Sequence, residues 1–166
     1  MSIDVFPLER LQPTLLDRLT DEEPDKVEEA PESRTVAKSQ YRKAVLRDLG
    51  WLLNATQLVS QRDLVGLDEV AHSVVNYGLP PLSGRNLSQL DPRSLERSIR
   101  DSILCFEPRI LAESLVVTML EYDVLSSHNL IGFEIRGVLW AQPYPIELLL
   151  KTQLDLERGE FRVVDA

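Results

Sequence analysis

The hydrophobic pattern of this chain changes its period once, and the change falls around Pro108. Upstream, Tyr41, Val45, Leu49, Leu52 and Leu53, and then Leu95, Ile99, Ile103 and Phe106, recur every three or four residues. That is the spacing of one face of an α-helix. Downstream, apolar residues alternate with others. Ile131, Phe133, Ile135 and Leu139 are interleaved with Gly132, Glu134, Arg136 and Val138. Ile146, Leu148, Leu150, Leu154 and Leu156 are interleaved with Glu147, Lys151, Gln153, Asp155 and Glu157. A period of two places one set of side chains on each face of a strand. Helices first and one-faced strands after them predict an α+β fold, with N-terminal helices packed on a C-terminal antiparallel β-meander.

Local signals set the boundaries. The first strong helix spans 35–53 and stops at Asn54; Gly50 weakens it by about 1 kcal/mol relative to alanine. Trp51, Leu52 and Leu53 are expected in the core. The second helix spans 91–106, with Asp91 as its cap and Pro92 in the first turn. Pro108 pushes the residue before it out of the helical region, so Glu107 is expected to be extended. Residues 55–90 are irregular, broken by Gly78, Pro80, Pro81 and Gly84, with a helical turn near 68–75. Gly78 is expected to supply an unusual backbone angle in the Asn76-Tyr77-Gly78 turn. Residues 109–122 form a further apolar run. The Glu157-Arg158-Gly159-Glu160 stretch reads as a hairpin loop into a last strand at 161–164.

Three segments are expected. Residues 1–19 carry Leu8, Leu11, Leu15, Leu16 and Leu19 at helical spacing, with a helix able to begin at Pro13. This is a helix folded back on the domain or a docking segment for a partner groove. Residues 20–34 hold seven acidic side chains against two basic ones and read as an acidic flexible linker. Residues 35–166 form the α+β domain. Limited proteolysis is expected to cut first within 20–34.

Much of the net charge of -9 comes from that linker. An acidic chain without a basic stripe repels phosphate backbones, which argues against nucleic-acid binding. The N-terminus has no basic stretch followed by an apolar run, and no segment is apolar enough to span a bilayer, so the chain reads as cytoplasmic with no direct membrane insertion. A single cysteine, Cys105, allows no internal disulfide. His72 and His128 lie in no metal-ligand pattern, and no phosphate-loop, dinucleotide or nucleophile-elbow motif occurs, so no metal or cofactor is expected.

Several segments in order resemble the TssE family of type VI secretion baseplate subunits, part of the lysozyme-like (GPW) contractile-tail baseplate wedge family. They are Arg47-Asp48-Leu49 with Trp51-Leu52-Leu53-Asn54, then Ser73-Val74-Val75-Asn76-Tyr77-Gly78-Leu79-Pro80, then Leu82-Ser83-Gly84. Phe106-Glu107-Pro108-Arg109 follows, matching the family's Glu-Pro-Arg signature, and then Phe133-Glu134-Ile135-Arg136-Gly137-Val138-Leu139-Trp140. The resemblance implies a non-enzymatic structural subunit. It would join the TssF–TssG wedge, help initiate the contractile sheath of TssB and TssC, and sit at the inner face of the cell envelope.

The resemblance also directs attention to Glu107, Pro108 and Arg109 as partner-binding residues. Glu107 and Arg109 are either an internal ion pair at the helix–strand junction or a polar clamp on a partner. The alternative function, a muramidase-like cell-wall hydrolase, needs a carboxylic acid of raised pKa. Arg109, two residues along an extended segment from Glu107, acts in the opposite direction. The strand of Ile146, Leu148, Leu150, Gln153 and Leu154 is expected to be the open sheet edge that templates the sheath, because its outward residues are polar.

Overall fold

A computed structural model describes residues 11–20, 25, 36–59, 64–82, 91–120, 130–142 and 144–165. Apart from Thr20 and Asp25, the expected linker at 20–34 lies outside the described residues, as does Ser83-Gly84. Among the described residues, four α-helices occur in chain order: α1 (Leu15–Leu19), α2 (Lys38–Asn54), α3 (Asp68–Ala71) and α4 (Pro92–Phe106). Four strands follow: β1 (Val116–Met119), β2 (Leu130–Leu139), β3 (Ile146–Asp155) and β4 (Glu160–Asp165). They form one antiparallel sheet in the order β1-β2-β3-β4, the expected meander. The α+β reading therefore holds.

One face of the sheet is covered by α2 and α4. Phe133 and Ile135 on β2, and Leu150 and Leu154 on β3, are fully buried with Val45, Leu49 and Leu52 of α2 and Ile99 and Ile103 of α4. Each such side chain contributes about 1.5–3 kcal/mol by leaving water. Asp91 caps α4 by accepting from the Arg93 amide at 3.2 Å, with Pro92 at the first helical position. Gly50 faces open space, and α2 runs through it unbroken.

The irregular stretch between α2 and α4 is anchored at Gly78. Its φ is +119°, and a Cβ there would lie 2.3 Å from the Ala55 carbonyl oxygen. The close approach lets Leu79 N–H donate to Ala55 O at 2.9 Å and Gln57 N–H donate to Leu79 O at 2.9 Å. Ser102 of α4 donates to Gly78 O at 2.8 Å, tying the stretch to the core.

Trp51 departs from expectation. Leu52 and Leu53 are buried, but Trp51 is 52% exposed. It lies off the Tyr41, Val45, Leu49, Leu52 stripe, and the Arg47 guanidinium covers its ring at 5.0 Å.

Candidate partner-binding site

The helix–strand junction carries the site. α4 ends at Phe106, and Glu107 leaves the helix with φ -123° and ψ 75°, its N–H still donating to Ile103 O at 2.8 Å. After the turn at Pro108, residues 109–111 run beside the end of β2. Trp140 N–H donates to Arg109 O at 2.8 Å, and Leu111 N–H donates to Val138 O at 2.9 Å. The Glu-Pro-Arg segment and the Val138-Leu139-Trp140 segment, distant in sequence, are thus neighbours.

Glu107 is only 4% exposed. Its Oε1 accepts from Arg109 Nε at 2.6 Å and from the Arg109 backbone N–H at 3.2 Å, and its Oε2 accepts from Arg109 Nη2. Arg109 Nη2 also donates to Asp48 Oδ2 on α2 at 2.6 Å. Burial disfavours the Arg109 cation, but Glu107 and Asp48 outweigh that and hold it protonated beyond the ordinary arginine range. The expected i, i+2 pairing is present. The Arg109 side chain is 19% exposed, and its pairing with Glu107 is made within the chain. One donor atom remains, Nη1, which is buried without a hydrogen-bond partner among the described residues.

The network continues along α2. Arg47 Nη2 lies 2.9 Å from Asp48 Oδ1, while Arg47 Nη1 pairs with Asp17 on α1. Beside this row opens a cleft of about 320 Å³, lined by Asp48, Trp51, Leu52, Tyr77, Phe106, Glu107 and Arg109, with Thr14, Leu15 and Leu16 completing its wall. Tyr77 and Phe106 meet edge-to-face, ring centroids 5.1 Å apart. Burial raises the Tyr77 pKa, reinforced by the charges of Asp48 and Glu107, so its hydroxyl stays neutral. Asp48 and Trp51 lie within the resembling segments, but the sequence reading does not place either at the site. The off-stripe phase of Trp51 is the signal that could have found it.

The sheet edges differ from expectation. β3 is interior: it pairs with β2 along its whole length and with β4 over Lys151–Asp155. Leu148, Leu150 and Leu154 are buried in the core, Ile146 packs against it, and Gln153 stands opposite Arg162 of β4. Polar alternation marks the wet face of a sheet, which is perpendicular to its edge. Among the described residues, the 146–150 half of β3 has no strand on its β4 side, and Arg42 Nη2 donates to Leu149 O at 3.3 Å.

The outer strands are β1 and β4. On β1, Glu96 of α4 accepts from Met119 N–H at 2.7 Å and Arg100 Nε donates to Leu115 O at 3.4 Å. On β4, Asn54 acts as a strand partner. Its Oδ1 accepts from Phe161 N–H at 2.9 Å and its Nδ2 donates to Phe161 O at 3.1 Å. Val163, two residues on, directs its backbone the same way. It has no such partner among the described residues.

A second cleft of about 340 Å³ is lined in part by Cys105, His72 and Asp101. Burial pushes the Cys105 thiol up, and the His72 ring nitrogen Nδ1 lies 2.7 Å from Asp68 O. No group of three or more potential metal ligands converges among the described residues. No helix among them is long and apolar enough to cross a membrane.

The family model for baseplate wedge protein gp25 matches residues 39–144. The chain belongs to that family. The match to the gp25 family covers Asp48, Trp51, Glu107 and Arg109, hence most of the cleft, and ends before β3. Membership marks the chain as a baseplate structural subunit whose partners are other baseplate subunits. No curated protein and no solved structure matches the chain.

Proposed function

We propose that this gp25-family chain is a non-enzymatic structural subunit of a type VI secretion baseplate. It docks on the TssF–TssG wedge through the Glu107-Pro108-Arg109 cleft and helps initiate the TssB–TssC sheath at the inner face of the cell envelope. The observation that carries this reading is the cleft itself. A largely buried ion-pair network fixes its floor, and Trp51 stands half-exposed at its rim. Aromatic and arginine anchors beside a well-packed pocket are the residues that dominate binding energy at protein interfaces. The hydrolase alternative gains nothing from Glu107, since both its oxygens are engaged by Arg109. A general acid must be able to reach its substrate.

The test pairs a melting curve with a pull-down on purified TssF–TssG. Trp51→Ala is expected to fold normally and to bind the wedge at least about tenfold more weakly. Full binding by this variant would remove the cleft from the interface. A muramidase assay on the same preparation is expected to show no cell-wall hydrolysis.

The sheath-template role passes from β3 to β4. The outward backbone groups at Val163 can accept an added strand by main-chain pairing, whereas Gln153 is already opposite Arg162.

A further inference from the structure

α1 is held in an unusual way for a helix. None of its residues is buried, and Leu15 and Leu19 are 70% and 74% exposed. Apolar burial is therefore not what fixes it. Its attachments are polar: Asp17 accepts from Arg47 Nη1, and Thr14 Oγ1 accepts from Arg47 Nη2 at 3.5 Å. Thr14 also caps the helix by accepting from the Asp17 N–H at 3.3 Å, and its hydroxyl donates to Asp17 Oδ2 at 2.6 Å. The chain on either side is secured separately. Leu11 is buried, and Val36 N–H donates to Leu11 O at 2.9 Å. α1 can thus leave its seat without disturbing the core.

Its seat is the cleft. Thr14, Leu15 and Leu16 make one wall of the cavity whose other walls include Trp51, Glu107 and Arg109. Asp17 sits at one end of the charged row Asp17–Arg47–Asp48–Arg109–Glu107. A five-residue helix so placed holds one carboxylate against Arg47, with the largely exposed Leu15 and Leu16 on the cleft wall.

We propose that α1 is a displaceable latch, an internal stand-in for the segment that the wedge partner inserts into this cleft. The partner segment it mimics is a short helix carrying a carboxylate beside apolar side chains. This inference rests on the reading that the cleft is the wedge interface. In the free subunit α1 covers the rim. On binding, the partner's carboxylate replaces Asp17 on Arg47, and α1 swings out about the Leu11–Val36 neck. A partly exposed ion pair suits the task, because solvent weakens it enough to be exchanged for a better one.

The experiment titrates full-length chain against purified TssF–TssG. Asp17→Ala and Thr14→Ala each loosen the latch and are expected to tighten binding by about two- to fivefold. Trp51→Ala, run in parallel, reports on the cleft. Amide exchange at Arg18 and Thr20, whose N–H groups donate to Thr14 O and Leu16 O in α1, is expected to accelerate when the partner binds. If Trp51→Ala weakens binding while both latch variants bind as the parent does, the latch is wrong and the site stands. If α1 amides become protected on binding, α1 is part of the interface and the latch is likewise wrong. If Trp51→Ala binds normally, the cleft is not the interface and both readings fall.

Discussion

Arg109→Ala removes the cation that answers a carboxylate buried to 4% exposure. Breaking such a pair costs about 3–5 kcal/mol, because the remaining charge stays desolvated. Thermal or urea unfolding is expected to show that loss. The double variant Glu107→Leu with Arg109→Met should recover much of it, since it removes both charges and fills the space. Recovery smaller than about 1 kcal/mol would mean that Arg109 is held chiefly by Asp48. The pairing of Glu107 with Arg109 was legible from their two-residue spacing, although a turn closed by Ile110 N–H on Glu107 O, and not extended chain, brings the side chains together. The depth of burial was not, since it depends on Tyr77, Phe106 and α2 closing around the junction. Asp48, 61 positions from Arg109, could be joined to it only by the packing of α2 against the junction.

α2, α4, β2, β3 and β4 follow from periodicity and turn signals, and their observed bounds lie within a few residues of those read from the sequence, whereas β1 was read only as part of an apolar run at 109–122. Gly50 within α2 is the local exception, and a Cβ at that position would meet nothing within 4 Å. Gly50→Ala is expected to stabilise the protein by about 1 kcal/mol, read as a higher melting temperature. Gly78→Ala is expected to do the reverse. The φ of +119° and the 2.3 Å approach to the Ala55 carbonyl leave no room, and a loss of about 2 kcal/mol or more should follow. Asn54 shows where element-level reading stops. By sequence it is a simple helix terminator, yet its amide clamps the Phe161 backbone 107 residues away. Asn54→Ala would strand the Phe161 N–H and C=O, costing about 1–3 kcal/mol and speeding exchange of the Phe161 amide.

At the scale of the molecule, the sheet has its outer strands restrained by side chains from the helices: Glu96 and Arg100 on β1, Asn54 on β4. The sequence could show that a meander has edges but not which strand lies outermost, because a strand's own pattern reports its faces. Among the described residues, no side chain pairs with the outer backbone at Val163. Val163→Pro is expected to leave folding and TssF–TssG binding intact and to abolish sheath growth in cells. Gln153→Pro, inside the β3–β4 ladder, is expected to damage the fold. Normal sheaths in a folded Val163→Pro strain would end the template role for this edge.

The hydrogen bond from Val36 N–H to Leu11 O closes a neck between two points far apart in sequence. The entropy of closing such a loop grows only with the logarithm of its length, about 0.6 kcal/mol for each doubling. Closing the neck is therefore only weakly sensitive to the length of chain between its two sides. A fluorescent domain spliced in at the exposed Asp25 would ride outside the α+β core, turning the subunit into a visible marker of each baseplate without touching the sheet.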